Sequence, residues 1–181
     1  PAGDTAQWAP GCETTSARFG AGGAVIAAAD ASAHRMLVAG GWDSSRDSLE
    51  SCELYDAAAD LWSLQEARLP QVMRCRAAPI AGGSAVLAVQ CDDPRKTRCA
   101  LLDVRSSSPS WQPMASADSA RVFHAVAAVG EYSVVMVGGR DEKQVDTDTA
   151  QLYDARADHW SMRAEWRLPA PSSSHCAVMI C

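Results

Sequence analysis

Short apolar runs separated by turn-forming residues predict β-strands along the whole chain. Residues 24–28 and 36–39 are apolar and are bounded by Gly, Asp and Ser, while residues 133–137 are β-branched and too few for a helix. Such runs are typical of strands buried on both faces. Residues 51–55 and 149–153 alternate polar and apolar side chains, which predicts strands that are covered on one face only. Residues 57–60 favour a helix by propensity but are too few to form one alone, so the pattern indicates an all-β fold.

The chain also repeats itself at a fixed interval. Trp62, Trp111 and Trp160 stand 49 residues apart, and the pairs Gly40-Gly41 and Gly138-Gly139 are separated by two such intervals. A diglycine at the end of a strand predicts a turn with positive φ and a close approach of neighbouring backbone. A period near fifty residues predicts a repeat architecture in which each unit packs on its neighbours.

Each repeat carries further residues in a fixed order. Leu54-Tyr55-Asp56 ends six residues before Trp62, and Leu152-Tyr153-Asp154 ends six residues before Trp160. The middle unit departs from this pattern. Its Leu101-Leu102-Asp103 ends eight residues before Trp111, and Val89-Gln90 stands where its neighbours have Gly-Gly. A final tetrad follows the tryptophans and begins at Arg18, Arg74, Arg121 and, in the last unit, Ser172.

This ordered set resembles the kelch repeat: an apolar run ending in Gly-Gly, a variable loop, Tyr-Asp, a six-residue step to Trp, and Arg-x-x-His. The resemblance covers nearly the whole chain and implies an all-β fold of kelch-type β-propeller blades, each of four antiparallel strands. The implied units are blades at 18–66, 74–114 (degenerate) and 121–163, an outer strand of a preceding blade at 1–10, and an inner, ring-closing strand at 174–181.

Three blades make only a partial propeller, because propellers have about four to eight. The chain therefore resembles the C-terminal half of a kelch domain. An open half-ring exposes apolar blade faces. We expect missing blades, a homodimer or a partner chain to complete it.

Composition narrows the classes of function. The chain is 48% hydrophobic and 21% charged, which is typical of a globular protein. Its net charge of −6 and the lack of a basic stripe argue against a nucleic-acid partner. The one short basic run, residues 95–98, is typical of a solvated loop. No apolar stretch approaches the roughly 18 residues that cross a bilayer, so no membrane partner is expected.

The seven cysteines predict free thiols rather than a metal or redox site. Their number is odd and no two form Cys-x-x-Cys. This usage favours a reducing compartment, and hence a cytoplasmic location. The alternative is a disulfide between Cys91 and Cys99, which would imply an oxidising compartment.

Nothing in the sequence indicates a catalytic centre, a cofactor or a metal. His124 and His175 begin inner strands and are expected to bond the backbone of a neighbouring blade. Residues 141–148 carry four acids and could suggest a calcium loop, but they lack the central Gly and closing Glu of an EF-hand. A solvated loop is the better interpretation.

The candidate partner-binding residues are Arg18, Arg74, Arg121 and Trp42. By resemblance to kelch domains that bind acidic peptides, the three arginines would line one central pocket on successive blades. Guanidinium groups there would bind carboxylates or phosphates bidentately. The alternative is that each arginine bonds the carbonyls of the next blade. Trp42 follows the first diglycine and is expected to be an exposed contact, whereas Trp8, Trp62, Trp111 and Trp160 are expected to pack between blades.

The resemblance implies a non-enzymatic protein–protein interaction module that binds a peptide or protein through its loop face and central pocket. It would serve as the substrate-recognition part of a ubiquitin-ligase adaptor or as a scaffold. The alternative is an enzyme on a kelch-like propeller, either a copper oxidase resembling galactose oxidase or a sugar mutarotase. Copper chemistry needs a tyrosine and histidine cluster. Because Tyr55 and Tyr153 belong to the repeat, only Tyr132 is left for it.

Overall fold

The computed structural model describes residues 11–27, 34–71 and 73–177. Trp8, the expected strand at 1–10 and residues 178–181 of the expected closing strand lie outside these ranges. Residues 174–177 of that strand are described and are not part of any sheet. Within the described ranges the chain is all-β, as predicted, and the only helical segment is a 3₁₀ turn at Ala81–Gly83. No helix in these ranges is long and apolar enough to span a membrane.

Twelve strands form three antiparallel sheets of four strands each. The first sheet holds β1 (Gly22–Ala27), β2 (His34–Ala39), β3 (Cys52–Asp56) and β4 (Leu61–Leu64). The second holds β5 (Cys75–Ile80), β6 (Ala85–Gln90), β7 (Cys99–Asp103) and β8 (Trp111–Met114). The third holds β9 (Ala125–Ala128), β10 (Ser133–Val137), β11 (Thr149–Asp154) and β12 (His159–Arg167). Consecutive strands are neighbours in every sheet.

The three sheets stand side by side with their first strands together. β1 contacts β5, and β5 contacts β9. One hydrophobic core lies between the first and second sheets and another between the second and third. This arrangement fits a partial β-propeller, in which each sheet is one blade.

Burial differs between the middle sheet and the outer two. All six residues of β6 are buried, so this strand of the middle sheet is covered on both faces. β10, for which double burial was expected, alternates partly buried and buried residues. β1 alternates buried and exposed residues, and Val25 is 59% exposed. The expectation of double burial is therefore wrong for β1, because no described residue covers its second face. The polar residues Glu53 and Gln151 depart in the opposite sense: they were expected on half-covered strands and are fully buried.

Two of the repeated tryptophans pack between sheets, as predicted. Trp111 is buried and its Nε1–H donates to Sγ of Cys52 in the preceding sheet, at 3.2 Å. Trp160 is buried and donates to the carbonyl of Ala115, which follows the preceding sheet, at 3.1 Å. Trp62 is only partly buried, because it lies on the uncovered face of the first sheet.

The Tyr-Asp motif continues into a turn that ends in a second aspartate. Asp60 and Asp158 both have φ of 47°. Each accepts a hydrogen bond at 2.8 Å from the hydroxyl of a tyrosine, Tyr55 or Tyr153 respectively. Asp158 also accepts from the backbone N–H of Ala115 at 2.8 Å. The motif therefore closes the turn of one sheet and ties that turn to the preceding segment.

The diglycines behave as the sequence predicts. Gly40, Gly41, Gly138 and Gly139 all have positive φ, between 65° and 93°. The second glycine of each pair donates its N–H to the chain that enters the next unit: Gly41 to the Met73 carbonyl at 3.0 Å and Gly139 to the Ser172 carbonyl at 2.8 Å. These bonds join adjacent units through backbone alone.

The middle unit aligns one residue away from the expected position. Gly40 donates its N–H to the carbonyl of Ser51, just before β3, and Gly138 donates to the carbonyl of Thr149, the first residue of β11. In the second sheet the residue that makes this bond, to Arg98 ahead of β7, is Gln90. Gln90-Cys91 therefore occupies the diglycine position, not Val89-Gln90.

Candidate functional site

Arg18 and Arg121 occupy equivalent positions and bond inward. Arg18 Nη1 donates to the carbonyls of Gly40 and Ser51 at 3.0 and 3.1 Å. Arg121 Nη1 donates to the carbonyls of Gly138 and Thr149 at 3.0 and 2.9 Å. Both side chains are buried. The carbonyls belong to the arginine's own sheet, so the expectation of bonds to the next blade is wrong.

The charge of Arg18 is neutralised by a buried carboxylate that the sequence pattern did not indicate, Glu53. Glu53 Oε1 lies 2.5 Å from Arg18 Nη2. Glu53 also accepts hydrogen bonds from the backbone N–H groups of Thr15 and Ser16, at 2.6 and 3.1 Å. Burial would raise the pKa of Glu53, but its bonds to Arg18 and Thr15 outweigh burial and hold the pKa below its ordinary value. This charge pair is therefore an internal tie between β3 and the entering chain.

Arg74 is not the counterpart of Arg18 and Arg121. Strand register pairs Gly22 with Ala39 and Ala125 with Val137, each partner standing just before a diglycine. The corresponding pair in the second sheet is Arg76 with Val89. Arg18 and Arg121 precede this position by four residues, but Arg74 precedes it by two. Its equivalents are Gly20 and Phe123, so the tetrads align with a two-residue offset in the middle unit.

Arg74 lies against aromatic rings from both neighbouring units. Its guanidinium carbon is 4.8 Å from the centroid of the Trp42 ring and 5.9 Å from that of Phe123. The Phe19 ring meets Trp42 edge to face, with centroids 5.4 Å apart. We call Phe19, Trp42, Arg74 and Phe123 the Arg74 cluster. It joins all three units at the end of the sheets where the first strands begin.

The loop after the first diglycine holds Trp42 in place. Its backbone exchanges two hydrogen bonds of 2.9 Å with Phe19, and its indole N–H donates to Ser48 Oγ at 2.8 Å. Asp43 closes the loop by accepting the N–H groups of Ser45 and Asp47. Trp42 is partly exposed and Phe19 is 47% exposed. The cluster is therefore built on a fixed loop and reaches solvent.

The acidic loop at 141–148 repeats that design. Asp141 Oδ1 accepts the N–H groups of Lys143 and Val145, at 2.9 and 3.0 Å. Asp146 pairs with Arg140 and Asp148 pairs with Arg167. In the described ranges no group of three or more His, Cys, Asp or Glu side chains is placed to hold a metal ion. The solvated-loop interpretation matches this geometry.

No known family model matches this chain, and no curated protein does. A relation to the kelch repeat therefore stays a prediction from the repeat motif, and the candidate site is defined by the geometry of the Arg74 cluster.

Six of the seven cysteines lie in the described ranges, and all six are free thiols. Cys91 and Cys99 are both free thiols and both buried. Burial raises the pKa of Cys75 and Cys99 to about 12 and that of Cys52 to about 11. These thiols stay protonated and act as small core residues.

His124 is a buried neutral histidine. Its Nδ1 lies 3.1 Å from the carbonyl of Arg121, so it carries the proton and donates. Burial lowers the pKa of His124 to about 3. The bonded carbonyl lies within the same unit, so the expected bond to a neighbouring blade is wrong. The remaining tyrosine, Tyr132, has the guanidinium of Arg156 4.0 Å above its ring.

Proposed function

We propose that this chain is part of a kelch-type β-propeller that binds a protein or acidic peptide at the end of its sheets where the Arg74 cluster lies, and that it catalyses no reaction. The repeat motif supports the kelch type. The three adjacent four-stranded sheets support a propeller. Such a module fits the substrate-recognition part of a ubiquitin-ligase adaptor, or a scaffold.

The Arg74 cluster is the observation that carries this proposal. Arginine and tryptophan are enriched among the residues that dominate binding energy at protein interfaces. No carboxylate in the described residues forms an ion pair with Arg74. Its Nε is buried without a hydrogen-bond partner among the described residues, as the Nε atoms of Arg18 and Arg121 also are. An acidic side chain of a partner would supply the missing anion, and the rings of Trp42 and Phe19 would supply apolar contact.

The backbone at Phe123 supports a functional role for the cluster. Phe123 has φ of 55°, a conformation that costs a bulky L-residue roughly 1–2 kcal/mol. Its equivalent in the first unit, Gly20, has φ of 68° without that cost. Strained residues concentrate at binding and active sites. The strain at Phe123 is offset by the ring it places beside Arg74.

Partner binding by Arg18 and Arg121 stays a prediction. Their guanidinium groups are already bonded to backbone carbonyls, and Arg18 also to Glu53. Arg74 and Trp42 are therefore the residues to test first.

We would probe an array of acidic peptides, rich in Asp and Glu or carrying phosphoserine, with the labelled chain. Arg74→Ala should weaken binding at least tenfold, because it removes the charge and the stacked plane together. Arg95→Ala is the matched control, since Arg95 is an exposed arginine in a loop. The thermal midpoint of Arg74→Ala should fall by no more than a few degrees. Equal binding by wild type and Arg74→Ala, or equal loss in the Arg95 control, would refute the proposal.

A further inference from the structure

A second polar site adjoins the Arg74 cluster, among the first strands of the three sheets; Ser174, which lines it, donates its N–H to the carbonyl of Phe123 at 2.8 Å. The site is a cavity of about 690 Å³. Its lining comes from β1, β5 and β9, the residue before β1, and the segment 174–177. The lining residues are Ala21, Gly22, Gly23, Arg76, Ala77, Ala125, Val126, Ser174, His175, Cys176 and Ala177. Among these described residues Arg76 is the one arginine and there is no carboxylate.

Arg76 is the charged group of the described cavity lining, and no described side chain pairs with it. It forms no ion pair and no side-chain hydrogen bond with any described residue, whereas the terminal guanidinium nitrogens of Arg18 and Arg121 are bonded. The register equivalents of Arg76 are Gly22 and Ala125, which have small or no side chains. The first strands of the outer sheets therefore leave room for one long side chain, and the middle sheet supplies an arginine.

His175 adds a second unsatisfied polar group to the same lining. Both of its ring nitrogens are buried and have no hydrogen-bond partner among the described residues. The ring packs against Gly138, since a Cβ there would lie 2.4 Å from its Cε1. A buried polar atom without a partner costs free energy, and most such atoms in folded proteins are paired. A ligand in the cavity would supply the partner.

The backbone contributes donors as well. β1, β5 and β9 are edge strands, each paired on one side only. An edge strand presents N–H groups that no ladder uses. Because the three strands meet around the cavity, amide donors from more than one sheet are available to a bound group.

We propose that this cavity binds a small oxyanion, a carboxylate or a phosphate, with Arg76 as the principal ligand and His175 as a second. Arginine binds such groups through two parallel N–H donors. The absence of carboxylates from the described lining leaves that charge uncompensated in a chain whose net charge is −6. The site shares no residue with the Arg74 cluster, so it does not depend on the function proposed above.

Cys176 provides a direct probe, because it lines the cavity and is exposed. We would use a Cys12→Ser/Cys181→Ser background, since Cys12 is only partly buried and Cys181 lies outside the described residues. The rate of Cys176 alkylation by N-ethylmaleimide, an uncharged reagent, would be measured by mass spectrometry at pH 7.5. Inorganic phosphate and succinate would be titrated separately at constant ionic strength.

At least one of the two anions should slow alkylation saturably, by fivefold or more. Arg76→Gln should raise the half-saturating concentration at least tenfold, while Arg95→Gln should leave it unchanged. Arg76→Lys keeps the charge without the bidentate geometry and should give an intermediate value. If circular dichroism shows that Arg76→Gln does not fold, Arg76→Lys takes its place in the comparison.

Three results would overturn the proposal. One is the absence of slowing by either anion, and another is a slowing that sodium chloride reproduces. The third is an equal half-saturating concentration in wild type and Arg76→Gln. Comparison of phosphate with succinate identifies which oxyanion the cavity prefers.

Discussion

At the scale of single residues, buried polar side chains join the units where the sequence predicted solvent. Glu53 and Gln151 stand at one register position in β3 and β11. Gln151 accepts from the N–H of Ser119 at 3.2 Å and donates to its carbonyl at 2.8 Å. Alternation of polar and apolar residues could not predict this burial, because the covering segment lies more than 30 residues upstream. For the same reason, the sequence pattern did not identify Glu53 as the partner of Arg18.

The buried His124 predicts a pH dependence of stability. Its folded pKa is about 3, whereas an unfolded histidine titrates near 6.5. Between these values only the unfolded state binds the proton, so stability falls as pH drops below about 6.5. The slope is at most ~1.4 kcal/mol per pH unit for one group. Between pH 7 and pH 5 the wild type should therefore lose about 2 kcal/mol more than His124→Ala.

Urea unfolding at the two pH values measures this difference. Alanine is the natural replacement, because Ala21 occupies the equivalent position in the first unit. The exposed His159 supplies the control, and His159→Ala should keep the wild-type slope. Parallel pH profiles for wild type and His124→Ala would show that His124 is not held neutral.

At the scale of elements, the sequence predicts the features that the units share and does not predict the change of alignment in the middle unit. The four strands of each sheet and the positive φ of both diglycines follow from apolar runs and Gly-Gly pairs. The position of Arg74 does not. The segment around Arg74-Cys75-Arg76 contains two arginines two residues apart, so a tetrad can be aligned on either. Only strand pairing shows that Arg76, not Arg74, aligns with Gly22 and Ala125, the first residues of β1 and β9.

A matched pair of glycine variants can test the close approach of Gly40 to the backbone of Met73. Gly40 and Gly82 have nearly the same φ, 66° and 64°. A Cβ at Gly40 would lie 2.5 Å from the Met73 carbonyl oxygen, whereas a Cβ at Gly82 would meet nothing within 4 Å. Both alanine variants carry the cost of positive φ, roughly 1 kcal/mol. Gly40→Ala must also move the backbone of the next unit.

We expect Gly40→Ala to lower the free energy of unfolding by at least about 2 kcal/mol more than Gly82→Ala, as backbone clashes in packed regions do. Chemical denaturation of the two variants under one condition measures the difference. Equal losses would mean that the Gly41 to Met73 contact is loose in solution and does not join the units.

At the scale of the whole molecule, and among the described residues, the middle sheet packs against another sheet on both faces and each outer sheet packs against another sheet on one face. The Trp period predicted three units, and packing of Trp111 and Trp160 on the preceding sheet follows from it. Periodicity could not predict that Trp62 is only partly buried. A sheet that covered it would have to come from outside the described residues. Leu61 and Leu64 flank Trp62 on β4 and are more than half exposed.

Alanine variants of Trp62 and Trp160 would show how far the outer face of the first sheet is covered in solution. Each ring packs on a tyrosine of its own sheet with centroids 5.1 Å apart and interplanar angles of 38° and 40°. The two tryptophans therefore make similar contacts within their own sheets. They differ because a neighbouring sheet covers Trp160 and none of the described sheets covers Trp62. Trp160→Ala should cost roughly 3–5 kcal/mol, as for an aromatic truncated in a core. Trp62→Ala should cost about 1–2 kcal/mol, because its ring is already partly in water.

Urea unfolding of both variants across a concentration series decides among three states of the first sheet. A small, concentration-independent cost for Trp62→Ala means that the face stays open. A cost as large as that of Trp160→Ala at every concentration contradicts the open face and requires cover from within the same chain. A cost that grows with protein concentration also contradicts an open face and identifies the cover as a second copy, because only association depends on concentration.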